Sequence, residues 1–88
     1  MPAITMFYGI IIYMYSENGV RHKEPHFHAC YQEEEAVFSL DAHIIEGSIC
    51  NSKRKLIEAW VELHKEELEA NWKLLSEGQK FFKIEPLR

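Results

Sequence analysis

The sequence has few cysteines and no excess of basic residues. Its two cysteines, Cys30 and Cys50, do not form a Cys-x-x-Cys pattern. A secreted protein of 88 residues usually has more cysteines, paired in a disulfide framework. The two thiols therefore predict a reducing, cytoplasmic location. The net charge of -4 argues against a generally cationic surface for binding nucleic acid.

Long hydrophobic runs are also missing. The longest apolar run, residues 6–15, is interrupted by Gly9 and is about half as long as a membrane-spanning helix requires. The first five residues lack the basic segment that begins a signal peptide. We therefore expect neither export nor insertion into a membrane.

The composition, at 47% hydrophobic and 27% charged residues, is that of an ordinary globular protein. It argues against intrinsic disorder, and 88 residues predict a single domain over residues 1–88. A domain of this size has a small core, so burying further surface against another chain would stabilise it.

The first half of the chain has the residue pattern of β-strands. Residues 6–15 are rich in aromatic and β-branched residues and apolar on both faces, which predicts one strand covered on both sides. Residues 26–32 and 36–40 predict two further strands. The short segment 44–46 is expected to stop at Gly47, and residues 81–87 could add a last edge strand.

The second half of the chain has helical periodicity. Asn51 or Ser52 is expected to cap the start of a helical segment within residues 52–77, and Gly78 to cap its end. Because one helix of this length is long for so small a domain, a kink near His64 is expected. The large apolar residues recur at helical spacing: Leu56, Trp60, Leu63, Leu68, Trp72 and Leu75.

Together these patterns predict an α+β fold. We expect a small antiparallel β-sheet of three to four strands followed by one long or kinked helical segment packed on one face. The second face of the first strand would then lack cover, which predicts a homodimer or a small partner protein. The residues expected in the core are Phe7 or Tyr8, Ile10, Ile12, Phe27, Phe38, Leu56, Trp60 and Trp72.

The histidines are the unusual feature of the sequence. Five occur in 88 residues, and strand alternation places His26 and His28 on one face, about 6.5–7 Å apart. Two imidazoles at that distance could share a metal ion, but the spacing names no third ligand, and no cofactor is predicted. The other interpretation is that both rings form hydrogen bonds with neighbouring backbone.

The same two histidines could also exchange protons near neutral pH. With Arg21 beside them, one imidazole could remove the 2′-hydroxyl proton of RNA while the other protonates the leaving oxygen. His26 and His28 are therefore candidate catalytic residues, with or without metal. Nothing in the sequence shows that these groups converge, and a solvated loop is the alternative interpretation.

One basic run, Lys53-Arg54-Lys55, lies at the start of the predicted helix. Three cations at a helix N-terminus could contact phosphate, so these residues and Arg21 are candidate contacts for nucleic acid. The alternative is that the run is a solvated face.

Four groups of residues form a pattern that covers nearly the whole chain. They are Pro2, Ile4 and Phe7-Tyr8-Gly9-Ile10-Ile11-Ile12; Pro25-His26-Phe27-His28-Ala29; Trp60, His64, Leu68 and Asn71-Trp72; and Lys83-Ile84-Glu85-Pro86-Leu87. This pattern resembles the family of small bacterial proteins called domain of unknown function 4160. The resemblance implies an intracellular, single-domain protein, encoded beside another small protein in an arrangement that suggests a toxin–antitoxin component.

Three functions remain open on the sequence. The first is a regulatory or toxin–antitoxin-type protein that acts through a partner protein. The second is a small hydrolase or ribonuclease that uses His26 and His28. The third is an oligomerisation module without chemistry.

Overall fold

The computed structural model describes residues 3–15 and 24–87. Within these residues, five strands form one antiparallel sheet in sequence order, and a helix follows. The predicted α+β class is therefore confirmed, but three to four strands were too few. The elements are β1 (Thr5–Phe7), β2 (Ile10–Tyr13), β3 (His26–Tyr31), β4 (Glu34–Ser39), β5 (Ile44–Ser48) and α1 (Asn51–Ser76).

The apolar run 6–15 forms two strands, and the prediction of one strand was wrong. The strands β1 and β2 pair with each other in a hairpin whose closing pair is Phe7 and Ile10. The two turn residues, Tyr8 and Gly9, have φ values of 50° and 80°. Positive φ at both turn positions matches the right-handed twist of the flanking strands, which favours a tight hairpin.

The strand β5 continues through Gly47, where the sequence predicted an end. Gly47 has a φ of 81°, and a Cβ atom there would lie 2.4 Å from the backbone oxygen of Glu35. Glycine thus permits the close approach of β5 to β4 instead of ending the strand. The register of this pair shifts between Val37 and Phe38.

The helix α1 spans 26 residues and has non-helical dihedral angles at His64 (φ -127°, ψ 24°). The predicted kink is therefore confirmed. Cys50 occupies the N-cap position without a side-chain capping bond, so neither Asn51 nor Ser52 is the cap. Glu77 is the C-cap, and Gly78 follows it with a φ of 78°. Among the described residues, no helix is long and apolar enough to cross a membrane.

The core lies between α1 and one face of the sheet. The indole of Trp60 is fully buried and packs against Phe7 and Phe27, with ring centroids 5.6 Å and 5.9 Å apart. Leu56 and Trp72 are only partly buried, because they pack against this cluster from its margin. The predicted core residues that are buried are Phe7, Ile10, Ile12, Phe27, Phe38 and Trp60, whereas Tyr8 is exposed.

The segment 81–87 is not a strand, although the sequence predicted one there. Side chains of α1 hold its backbone instead. The indole Nε1 of Trp60 donates to the carbonyl oxygen of Glu85 at 2.8 Å. Asn71 exchanges two hydrogen bonds with the backbone of Phe82, at 2.8 Å and 2.9 Å. One backbone bond, from Ile84 N to Ile4 O at 3.0 Å, joins the segment to the chain just before β1.

Candidate functional site

The candidate site lies on the sheet face opposite the one that packs against Trp60 of α1. Directly opposed residues of antiparallel strands point to the same face, so the register defines two rows of side chains there. We call these two rows the outer face. The first row is Met6, Ile11, Cys30, Glu35 and Ser48, and the second is Tyr13, His28, Val37 and Glu46.

The charge of the outer face has one sign. None of the five strands contains a lysine or an arginine, whereas Glu35 and Glu46 bring carboxylates to this face. Every lysine and arginine of the described residues lies in α1 or in the segment after it. The sheet therefore presents an acidic and aromatic surface opposite the helix.

A groove of about 260 Å³ opens on the outer face. The Tyr15 ring stacks on the imidazole of His28, with centroids 4.6 Å apart and planes inclined by 11°. The His28 Nδ1 atom lies 3.7 Å from Oε2 of Glu35, whose side chain is 61% exposed. The groove is lined by Tyr13, Tyr15, His28, Cys30 and Glu35. It thus combines two aromatic rings, an imidazole, a thiol and one exposed carboxylate.

The Cys30 thiol is a poor candidate for a nucleophile. Burial raises its pKa, and the negative charge of Glu35 raises it further. A raised pKa lowers the fraction of thiolate at neutral pH, and the thiolate is the reactive form of cysteine. The groove therefore suits binding better than nucleophilic catalysis.

The structure brings His26 and His28 together, as strand alternation predicted. Their rings meet edge to face with centroids 5.3 Å apart. His26 is fully buried, donates from Nδ1 to the carbonyl oxygen of Glu24 at 2.8 Å and packs against Trp72. It has no surface that a substrate could contact in this conformation. Among residues 3–15 and 24–87, no group of three or more His, Cys, Asp or Glu is placed to hold a metal ion.

The basic run at the start of α1 lies away from the histidines' face. Lys53 places its Nζ 4.9 Å from the ring centroid of Tyr31, and Arg54 Nε lies 3.9 Å from Oε2 of Glu58. Two of the three cations thus contact this chain's own side chains. The amide of Cys50, just before the helix, donates to a carboxylate oxygen of Glu34 at 3.1 Å. Arg21, the other candidate contact for nucleic acid, lies outside the described residues.

Sequence reasoning did not bring Glu35, Tyr13 and Tyr15 together as one site. Glu35 lies between the two strands predicted at residues 26–32 and 36–40, whereas it belongs to β4. Its position opposite Cys30 depends on the register between β3 and β4. The alternation of β2 places Tyr13 on the outer face, but that signal is readable only once the run 6–15 is divided into two strands.

The fold and this face define a small α+β protein with an aromatic, acidic sheet surface. Residues 9–73 match the family model described as domain of unknown function (DUF4160). The match covers more than half of the chain, so the protein belongs to this family, as the sequence motifs indicated. No curated protein and no solved structure matches the chain.

Replacing His26 and His28 together with glutamine should lower the free energy of unfolding by more than about 1 kcal/mol. His26 is fully buried and donates to the backbone of Glu24, and glutamine cannot reproduce its ring contact with Trp72. Urea denaturation monitored by circular dichroism measures the loss. The exposed His43, replaced with glutamine, is the matched control and should change nothing. A double variant as stable as the wild type would show that the pair is not structural.

Proposed function

We propose that this protein is a small regulatory or toxin–antitoxin-type component that acts by binding a partner protein through the outer face. One observation carries the proposal: apolar and aromatic side chains occupy the sheet face opposite α1. Met6 is 60% exposed there, and Ile11 and Tyr13 are partly exposed. Farther along this face His28 is buried, and His26 beside it packs against Trp72 of α1, so the exposed part of the face is the part around Met6.

Charge favours a different chain as the partner over a second copy of this one. Two copies packed by their outer faces would bring the Glu35 carboxylates of both copies, each with its side chain 61% exposed, into one interface. The five strands contain no lysine or arginine that could pair with these carboxylates across such an interface. Juxtaposed like charges disfavour an interface, whereas a partner with basic side chains would match the face. The partner is therefore a basic or locally basic protein.

The enzyme alternative, a hydrolase or ribonuclease that uses His26 and His28, has less support from the geometry. Acid–base cleavage by two histidines requires both imidazoles to reach the substrate. His28 lines the groove, but His26 is fully buried, packs against Trp72 and is hydrogen-bonded to the backbone of Glu24. The two histidines are therefore better placed to support the groove than to act as a catalytic dyad.

The test uses the product of the neighbouring gene, the partner that the sequence resemblance implies. Met6→Asp removes an apolar contact beside Ile11, on a strand remote from Glu35. We expect it to weaken the complex by at least about tenfold, because the new charge would be desolvated in the apolar part of the interface. Leu63→Asp is the matched control, since Leu63 is 68% exposed on the helix. Isothermal titration calorimetry measures both affinities.

Equal affinity of the Met6→Asp and Leu63→Asp variants would contradict the proposal. So would a purified protein that forms no complex with the neighbouring gene product and instead elutes as a stable homodimer. Both variants change an exposed side chain, so circular dichroism should show unchanged folding for each.

A further inference from the structure

The groove on the outer face has a volume that suits a single side chain. Its volume of about 260 Å³ is below the roughly 300–1,000 Å³ of sites for drug-sized molecules. The stacked rings of Tyr15 and His28 form one part of its wall, and Tyr13 lies opposite His28 in the register of β2 and β3. The groove thus presents two tyrosine rings and an imidazole in a shallow, open depression.

The negative charge in the groove favours a positively charged ligand. Glu35 is the acidic side chain of its lining, and this side chain is largely exposed. Its negative charge also acts on the neighbouring Cys30, where it adds to the effect of burial in raising the pKa of the thiol. An anion in the groove would be repelled by the same carboxylate.

Tyrosine rings add a second attraction for a cation, through the negative face of the aromatic π system. The protein makes such a contact on its helical side, where Lys53 Nζ lies 4.9 Å from the ring centroid of Tyr31. In the groove, two tyrosines and one carboxylate lie together. A guanidinium suits this set better than an ammonium, because it is planar, stacks on aromatic rings and pairs with a carboxylate through two hydrogen bonds.

We infer that the groove formed by Tyr13, Tyr15, His28, Cys30 and Glu35 receives an arginine side chain of the partner protein. The guanidinium stacks on the tyrosine rings and pairs with the Glu35 carboxylate. This inference rests on the proposed function, because it names the recognition element of the partner that binds the outer face.

The direct test is an NMR titration of the full-length, ¹⁵N-labelled protein with Nα-acetyl-arginine methylamide. The neutral isostere Nα-acetyl-citrulline methylamide is the control ligand. Saturable shifts at the amides of Tyr13, Cys30 and Glu35 are expected with arginine, and not with citrulline. Glu35→Gln should weaken binding of the arginine probe by at least about tenfold, since it removes the charge of the pair.

Glu34→Gln is the matched control variant. Glu34 neighbours Glu35 but points to the opposite face by strand alternation, and a glutamine oxygen can still accept from Cys50. Equal binding of arginine and citrulline, or equal loss of affinity in the two glutamine variants, would overturn the inference. A gain in probe affinity on replacing Arg21 with glutamine would also overturn it, because this chain's own arginine would then compete for the groove.

The failure of the inference and that of the proposed function are distinguishable. If Met6→Asp disrupts the complex while Glu35→Gln leaves its affinity unchanged, the outer face binds the partner and the arginine contact is wrong. If both variants bind the neighbouring gene product as the wild type does, the proposed function fails, even where the groove still binds the arginine probe. Weakening of the complex by both variants, with Glu34→Gln unchanged, supports both.

Discussion

Replacing Trp60 with alanine should lower the free energy of unfolding by about 3–5 kcal/mol. The indole is fully buried between α1 and the sheet, where it packs against Phe7 and Phe27. Its Nε1 also donates to the backbone of Glu85, so the truncation leaves a cavity and removes that hydrogen bond. The loss is a large part of the roughly 4–13 kcal/mol expected for a protein of this length. Chemical denaturation with urea measures it.

The variant Trp60→Phe separates the two contributions. Phenylalanine retains an aromatic ring in the core but cannot donate to Glu85. We therefore expect a smaller loss for Trp60→Phe than for Trp60→Ala. Leu63→Ala, at an exposed position of the same helix, should stay within about 0.5 kcal/mol of the wild type. A Trp60→Ala variant that melts at the wild-type temperature would place Trp60 outside the core.

The helix was predictable because its signal is local and repeated. Large apolar residues recur at helical spacing from Leu56 to Leu75, and no proline interrupts them. Even the kink at His64 followed from the length of the segment. The caps were not predictable, because Cys50 occupies the N-cap without a side-chain bond and so leaves no polar signal.

The number of strands was harder to predict because a run of apolar residues conceals a turn. Tyr8 adopts a positive φ although tyrosine is not a typical turn residue, so only Gly9 marked the hairpin. Likewise, Gly47 resembled a stop signal, whereas it permits close contact between β5 and β4. In both places the pairing of neighbouring strands, and not the local residue preference, decides the backbone conformation.

Strand alternation predicted only one part of the site, the shared face of His26 and His28. Alternation along β3 places His26 and His28 on one face, and the structure has their rings 5.3 Å apart. The partners of His28 come from other segments: Glu35 from β4 and Tyr15 from just after β2. Their positions depend on the register between neighbouring strands, which the alternation within one strand does not specify.

A buried asparagine joins α1 to the segment that follows it. Asn71 is fully buried near the end of α1, and its amide donates to and accepts from the backbone of Phe82. The amide thus satisfies two backbone groups of a segment that is not in the sheet. Trp60 acts on the same segment at Glu85, and Ile84 between them is buried. Two side chains of α1 therefore hold the segment 81–87 against the helix.

Replacing Asn71 with leucine should lower the free energy of unfolding by about 2–4 kcal/mol. Leucine has a similar volume but no polar atoms, so the N–H and C=O groups of Phe82 lose their partners where α1 packs on the segment. Each unsatisfied buried group costs about 1–3 kcal/mol. Hydrogen–deuterium exchange should show faster exchange of the Phe82 amide in the variant. Amides of β3 should exchange more slowly than the Phe82 amide, because they open only with the whole sheet. Unchanged protection of the Phe82 amide would mean that Asn71 does not hold the tail.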